Sequence, residues 1–211
     1  MSRLAIAWRG ERTAATARNE VAADDERELL LQHLRGEPRA FADLVSCYRA
    51  PVYSYLSRCG VAEQDRDDLF QEIFIRIHRA APRYQPDRPL HPWLFTIVAN
   101  AVRNHVRQKK VRELVFGDPP VNDPPDDAAD GEEQARAMQT RAWLEARIRE
   151  LPHTQREALL LTCIQGLPQR QVASILNLRL NTLKTHLRRA RLTLVKQLAR
   201  REARERGEVS S

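Results

Sequence analysis

Residues 151–198 read LPHTQREALLLTCIQGLPQRQVASILNLRLNTLKTHLRRARLTLVKQL. Their apolar spacing predicts a helix, a short turn at residues 166–168, and then two helices joined by a tight turn. The last helix carries several basic side chains within two turns, namely Lys184, His186, Arg188, Arg189 and Arg191. In a helix-turn-helix, the second helix lies in the major groove of DNA. A cationic helix in that position favours a DNA-binding protein over an enzyme.

The turn between the last two helices supports the same prediction. Ala173 is small enough for two helices to cross closely, and Asn177 tolerates the left-handed backbone of a tight turn. Asn181 is predicted as the N-cap of the last helix. Four apolar residues are expected to face the core that the two helices share: Val172, Leu176, Leu178 and Leu183. The alternative for this segment alone is an ordinary helical hairpin with a charged, solvated face.

The composition indicates a helical protein with a polyanionic partner. The chain has 211 residues, 42% hydrophobic and 30% charged, which is enough for one or two small domains. Its net charge of +7 favours a partner such as nucleic acid. The near absence of alternating β-branched runs argues against a large sheet, and the lack of any run of about 18 apolar residues predicts no membrane span.

The sequence offers no chemistry of its own. Cys47, Cys59 and Cys163 form no C-x-x-C pair and are predicted to be reduced, buried thiols. The six histidines are scattered, so no metal site and no cofactor is predicted. Without a nucleophile–base pair or a phosphate-binding glycine loop, the chain is not expected to be an enzyme.

A first helical domain is predicted at residues 25–112, after a disordered tail at residues 1–24 that carries no secretory signal. The first of its four helices is expected from Asp24 to about Gly36, and the second covers the apolar positions from Phe41 to Leu56. The third is expected from about Asp65 to Ala80. The fourth begins at Pro92 and ends in a run of basic residues. A proline-rich loop at residues 84–92 precedes the fourth helix.

Residues 113–133 are predicted to be a flexible acidic linker. Within it, residues 117–133 hold seven acidic residues, four prolines and no basic residue, a composition that cannot build a core. Fully extended, the linker spans at most about 70 Å, roughly the separation of two major-groove sites two helical turns apart. A second domain is expected at residues 134–200, with a tail at residues 201–211. The predicted fold class is therefore all-α, with two small helical domains.

The order of these motifs resembles the extracytoplasmic-function (ECF) sigma factors, the smallest members of the sigma-70 family of RNA polymerase subunits. The resemblance covers residues 26–198 and rests on DDLFQEIFIRI at 67–77, WLFTIVANAVRNHVR at 93–107, and RRARLTL at 188–194. It implies that the first domain is sigma region 2, a helical bundle, and the second is the helix-turn-helix of sigma region 4. Such a protein binds core RNA polymerase and directs promoter-specific initiation, with region 2 recognising and melting the −10 element and region 4 binding the −35 element.

The resemblance also implies which residues meet each partner. On the third helix, Asp68, Gln71 and Glu72 are expected to face the clamp helices of the polymerase β′ subunit. The residues implied at the −10 element are Asn100, Arg103, Asn104 and Arg107. Those implied at the −35 element are Asn181, Thr182, Lys184, Thr185, Arg188, Arg189 and Arg191. Among the latter, Lys184, Thr185 and Arg188 are expected at base edges. Arg189 and Arg191 are expected at phosphates.

Two positions depart from the family pattern on the fourth helix. Val98 stands where alanine is usual, and Asn104 stands where aspartate is commonest. Because asparagine removes a negative charge near phosphates, the second departure should not harm DNA binding.

The implied partners are core RNA polymerase, through its β′ clamp helices and β flap, promoter DNA, and an anti-sigma factor. The implied location is the cytoplasm, without direct insertion into a membrane. The alternative is a stand-alone helix-turn-helix regulator with a helical sensor or dimerisation domain. The first domain favours the sigma factor, because a regulator has no need of D-L-F-Q-E and W-L-x-x-I on neighbouring helices.

Overall fold

The computed structural model describes residues 24–116 and 132–205, and these residues form eight α-helices and no strand. The helices are α1 (24–34), α2 (Ala40–Arg58), α3 (Glu63–Ala80), α4 (Leu90–Phe116), α5 (Glu132–Arg149), α6 (His153–Leu159), α7 (Gln169–Ile175) and α8 (Leu180–Glu205). A 3₁₀ turn, Ala81–Arg83, follows α3, and a π-helical turn, Leu160–Ile164, extends α6. The all-α prediction is confirmed.

The chain divides into two compact units whose boundary passes through α2, α3 and α4. The first unit is Met1–Val52 with Phe70–Val98, and the second is Tyr53–Leu69 with Ala99–Ser211. The units therefore differ from the two domains predicted on either side of the linker. Contacts between the end of α2 and α5 explain the difference within the second unit. Arg58 pairs with Glu145 at 2.8 Å, and Arg149 donates to the Ser57 hydroxyl at 3.2 Å.

The first unit has an aromatic core. Tyr48 is 1% exposed, its ring centroid lies 5.8 Å from that of His91, and His91 lies 4.6 Å from Phe95. The Tyr48 hydroxyl donates to Glu26 Oε2 at 2.6 Å, which ties α1 to α2. The apolar stripe predicted for α3 is also buried: Phe70, Ile73, Phe74 and Ile77.

The burial of Glu26 predicts a pH-dependent stability for the first unit. Burial raises the pKa of Glu26 above its ordinary value, while the hydrogen bond from Tyr48 opposes that rise. The folded protein thus holds the Glu26 proton more tightly than the unfolded chain, so this contribution favours folding at low pH and is lost as the pH rises through the folded pKa. We expect Glu26→Gln to raise the melting temperature at about pH 7 and to lose that advantage toward about pH 4. Glu28→Gln, at an exposed position of the same helix, is the control for loss of a carboxylate, because its ion pair with Arg35 is exposed and contributes little. The expectation would be contradicted if the difference in melting temperature between wild type and Glu26→Gln stayed constant across this pH range.

The second unit contains the predicted helix-turn-helix. Asn177 has φ 52°, as predicted for the turn, and Leu178 N–H donates to Ala173 O at 2.8 Å. Of the four residues predicted in the shared core, three are buried and Leu178 is half-buried. The Asn181 N-cap prediction is wrong, because α8 begins at Leu180 and Leu183 N–H donates to Arg179 O. Asn181 lies inside the first turn.

Two helices run further than predicted. The helix α4 continues to Phe116 and α5 begins at Glu132, so both ends of the predicted linker are helical. The helix α8 continues to Glu205, into the predicted C-terminal tail. No proline or glycine interrupts residues 93–116 or 180–205, so nothing local stops these helices. The rest of the linker and both remaining tails, residues 117–131, 1–23 and 206–211, lie outside the described residues.

The cysteines are less uniform than predicted. Cys59 is buried, but Cys47 is exposed and Cys163 lies half-buried. All three are free thiols in the structure. The uniform burial prediction fails because Cys47 falls on the solvent-facing side of α2, next to the buried Tyr48.

Candidate nucleic-acid interface

The helix α8 presents a polar face to solvent. Leu183, Leu187, Ala190 and Leu194 recur every three or four residues and are buried, which turns the other side of the helix outward. All seven residues implied at the −35 element are exposed: Asn181, Thr182, Lys184, Thr185, Arg188, Arg189 and Arg191. The structure therefore leaves these side chains accessible to a partner.

Three of the cations converge on a shallow cleft. Lys184, Arg188 and Arg191 line a cavity of about 340 Å³ together with Gln169, Leu187 and Leu192. Their spacing of four and three residues puts them on one helix face. No acidic side chain lines the cleft, so its charge suits a polyanion. Arg191 reaches Cys163, with Nη2 3.6 Å from Sγ.

The four residues implied at the −10 element also share one cleft. Asn100, Arg103, Asn104 and Arg107 of α4 line a cavity of about 600 Å³. The other lining residues come from α6 and from the segment between α7 and α8, namely His153, Thr154, Glu157, Leu176 and Leu178, with Val106 of α4. Asn100 and Arg107 are exposed, whereas Arg103 and Asn104 are half-buried.

Arg103 is engaged by the C-terminal helices. Its Nη1 donates a hydrogen bond to Ile175 O, and its Nε lies 3.8 Å from Glu157 Oε1. The side chain of Glu157 is only 4% exposed, and its Oε2 lies 3.1 Å from His153 Nδ1. Among the described residues, Glu157 is the one charged residue that is buried. The sequence analysis missed it, although a glutamate directly before the apolar run ALLL at 158–161 is a signal for it.

A second face of α4 is tied to the start of α3. His105 Nε2 and Lys109 Nζ each lie 3.5 Å from Asp65 Oδ2. Two side chains on successive turns of α4 thus meet one carboxylate at the start of α3.

The helix α3 carries the third implied site. Asp68, Gln71 and Glu72 are all exposed on it, and Glu72 Oε1 accepts a hydrogen bond from Arg76 Nε at 3.1 Å. Ile75 follows on the same helix and is 50% exposed, although it is a large apolar residue. Exposed apolar side chains beside short polar ones are typical of a surface that binds another protein.

Residues 24–116 and 132–205 contain no group of three or more histidine, cysteine or acidic side chains arranged to hold a metal ion. No helix in these same ranges is long and apolar enough to cross a membrane.

Comparison with known proteins decides the family. The profile of sigma-70 region 2 matches residues 44–112, and that of sigma-70 region 4 matches residues 141–194. The RNA polymerase sigma factor CnrH of Cupriavidus metallidurans is 30% identical over 177 residues, covering 81% of this chain and 93% of CnrH. The ECF RNA polymerase sigma factor SigC of Mycobacterium tuberculosis is 31% identical over 179 residues, covering 82% of this chain and 92% of SigC.

The chain belongs to the ECF sigma factors of the sigma-70 family. It is a sigma factor that directs RNA polymerase to promoters, and the stand-alone regulator is not favoured. The sigma factor is favoured over the stand-alone regulator because a region 2 match is followed by a region 4 match, in the order predicted.

Solved structures agree with this ECF assignment. The structure of CnrH in complex with the cytosolic domain of CnrY superimposes with a TM-score of 0.58 at 27% identity, covering 83% of this chain and 97% of that one. The sigma factor RpoE of Bartonella quintana, solved with the anti-sigma factor NepR, gives a TM-score of 0.62, and the match covers 76% of this chain and 98% of that one. At 18% identity, the RpoE likeness supports the fold alone.

Proposed function

We propose that this ECF sigma factor binds its promoter through two helices, α4 at the −10 element and α8 at the −35 element. In this proposal, region 2 occupies residues 25–112 and recognises and melts the −10 element, while region 4 occupies residues 134–200 and binds the −35 element. The observation that carries the proposal is the exposed, acid-free cationic face of α8, which follows a turn with the left-handed residue that a helix-turn-helix requires.

On α8, we assign base contacts to Lys184, Thr185 and Arg188. Lysine and arginine are suited to guanine O6 and N7, and threonine can serve several bases. Arg189 and Arg191 are assigned to phosphates, which fix the position of the helix in the groove. Asn181 and Thr182 lie in the first turn of α8, where backbone N–H groups and the helix dipole favour a phosphate.

On α4, Asn100, Arg103, Asn104 and Arg107 are assigned to the −10 DNA. Their spacing of three, one and three residues directs all four toward one side of the helix, and they line one cleft. Two arginines supply charge for phosphates, and two asparagines supply amide groups for hydrogen bonds.

On α3, Asp68, Gln71 and Glu72 are assigned to the β′ clamp helices of core polymerase, and region 4 is assigned to the β flap. All three side chains of α3 are exposed, so a partner can reach them without a change in the core. The protein supplies recognition and strand separation, has no catalytic residue of its own, and works in the cytoplasm with the polymerase.

An anti-sigma factor is the third proposed partner. One solved relative in the same fold is bound to the anti-sigma factor NepR, and CnrH is bound to the cytosolic domain of CnrY. We infer that this chain is held by a partner of the same class.

The proposal predicts weak, salt-sensitive DNA binding by the free protein. If region 4 alone contacts about four phosphates of duplex DNA, its affinity falls about 100-fold between about 50 and 200 mM salt. The holoenzyme, in contrast, opens a specific promoter at salt concentrations where the free protein no longer binds. Fluorescence anisotropy across a salt series measures DNA binding by the free protein, and permanganate footprinting of unpaired thymines measures promoter opening by the holoenzyme. Tight, sequence-specific duplex binding by the free protein would contradict the proposal.

A further inference from the structure

The side of α4 that is assigned to the −10 DNA already contacts other residues of the second unit. Arg103 donates to the Ile175 carbonyl and faces the Glu157 carboxylate at 3.8 Å. We propose that this contact is an internal lock, in which Glu157 and the end of α7 take the place of a DNA phosphate at Arg103. The free chain is thereby held in a closed state that does not bind −10 DNA. The inference rests on the −10 role proposed for α4.

The chemistry of Glu157 suits a substitute for phosphate. A carboxylate and a phosphate offer a guanidinium the same kind of acceptor, a pair of anionic oxygens. Glu157 is 4% exposed, so its charge interacts with Arg103 and His153 with little screening by water. A buried carboxylate is costly unless cations and hydrogen bonds compensate it. Opening this contact removes the compensation that Arg103 provides, so an equivalent gain in free energy must come from another contact.

The closed contact and −10 DNA exclude each other. The Nη1 group of Arg103 donates to Ile175 O, and its Nε lies within ion-pair distance of Glu157 Oε1. A phosphate approaching Arg103 would also meet the negative charge of Glu157 beside it, which repels it. The cleft of about 600 Å³ is the size of a small-molecule pocket, and α6 and the α7–α8 segment form its other wall. A DNA strand that follows α4 must therefore displace them.

Two mutually exclusive states make the coupling reciprocal. Whatever separates α6 and α7 from α4 raises the affinity of α4 for DNA, and DNA on α4 favours the separated state. Core polymerase is the partner expected to separate them, since the holoenzyme must engage the −10 and −35 elements at once. The lock thus prevents the free sigma factor from occupying single-stranded DNA without polymerase.

The first test removes the charge of Glu157. Glu157→Gln keeps the size of the side chain and should tighten binding of the full chain to a short fluorescent single-stranded DNA by about fivefold or more, the lower end of typical coupling between sites. Glu150→Gln removes one negative charge from an exposed position that contacts Arg147 and Gln197 and does not line the cleft, and it should change nothing. Adding Arg107→Ala to Glu157→Gln should remove the gain, since the new DNA contact is on α4. Equal affinities of Glu157→Gln, Glu150→Gln and wild type, with unchanged circular dichroism, would overturn the lock.

The second test closes the contact covalently and does not depend on the stability of Glu157→Gln. Val106 and Thr154 line the same cleft from α4 and α6, and neither is assigned a DNA contact. In a chain whose Cys47, Cys59 and Cys163 are replaced by serine or alanine, Val106→Cys and Thr154→Cys should be joined by a short, reducible bis-thiol cross-linker. Cross-linked protein should lose binding to the single-stranded DNA and recover it on reduction, so each sample is its own control. Failure of the cross-link to form, or unchanged DNA binding while it is in place, would overturn the proposal.

The lock and the proposed function fail in different ways. In holoenzyme, the contact is already open, so wild type and Glu157→Gln should direct transcription equally well. If wild-type holoenzyme does not initiate at promoters, the proposed function is wrong. If it initiates normally but neither free-protein test responds, only the lock is wrong.

Discussion

Core RNA polymerase should bind the double variant Asp68→Ala with Gln71→Ala about 30- to 1000-fold more weakly than wild type. Truncating two side chains at the centre of a protein interface typically costs about 2–4 kcal/mol in total, and each 1.4 kcal/mol is about tenfold in affinity. Both side chains are exposed, so their removal opens no cavity and should leave the fold intact. Pull-down and biolayer interferometry with core enzyme measure the loss, and circular dichroism checks the fold.

A matched variant on another helix isolates the site. Asp43→Ala with Ser46→Ala also removes one carboxylate and one short polar side chain, three residues apart, from exposed positions of α2. It should bind core polymerase like wild type. Equal affinities for both double variants would show that α3 does not make the contact with the β′ clamp helices.

Arg188→Ala should change the promoter preference, whereas Arg191→Ala should not. If Arg188 contacts a base, its loss costs about 1–3 kcal/mol at the preferred −35 sequence and relaxes the preference at one position. If Arg191 contacts a phosphate, its loss weakens all sequences alike and reduces the salt slope by about one unit. The two side chains line one cleft, so a difference between them would report their roles rather than their location.

A randomised −35 library, selected with each variant holoenzyme, measures this difference. Thr193→Ala, at an exposed position of the same helix and outside the implied contacts, is the control. If Arg188→Ala and Arg191→Ala both lose activity with no change in base preference, Arg188 is a phosphate contact and the assignment of the base-reading face is wrong.

Local sequence patterns predicted most of the fold because they act over a few residues. The spacing of Leu69, Phe70, Ile73 and Phe74 indicated the buried side of α3, and all four are buried. The Asn177 turn followed from the tolerance of asparagine for positive φ. The helix ends were less predictable, because α4 and α8 contain no proline or glycine to mark where they stop.

Contacts between segments far apart in sequence could not be predicted. Arg103 and Glu157 are separated by 54 positions, and no periodicity relates them. A lone glutamate on a helix is ordinarily solvated, so the burial of Glu157 emerged only from the packing of α6 against its neighbours. The grouping of the end of α2 with α5 through Arg58 and Glu145 has the same origin. The family resemblance thus implied which residues of α4 meet the −10 element, but no sequence pattern indicated what covers Arg103.

Sequencing of RNA 5′ ends made in vitro tests the central claim most directly. Core polymerase free of other sigma factors is mixed with a library of randomised promoter DNA, with and without this chain. With the chain, transcripts should start downstream of one shared pair of −35 and −10 sequences, and without it those start sites should be absent. The same start sites in both reactions, or a shared motif bound by the chain alone without effect on transcription, would contradict its role as a sigma factor.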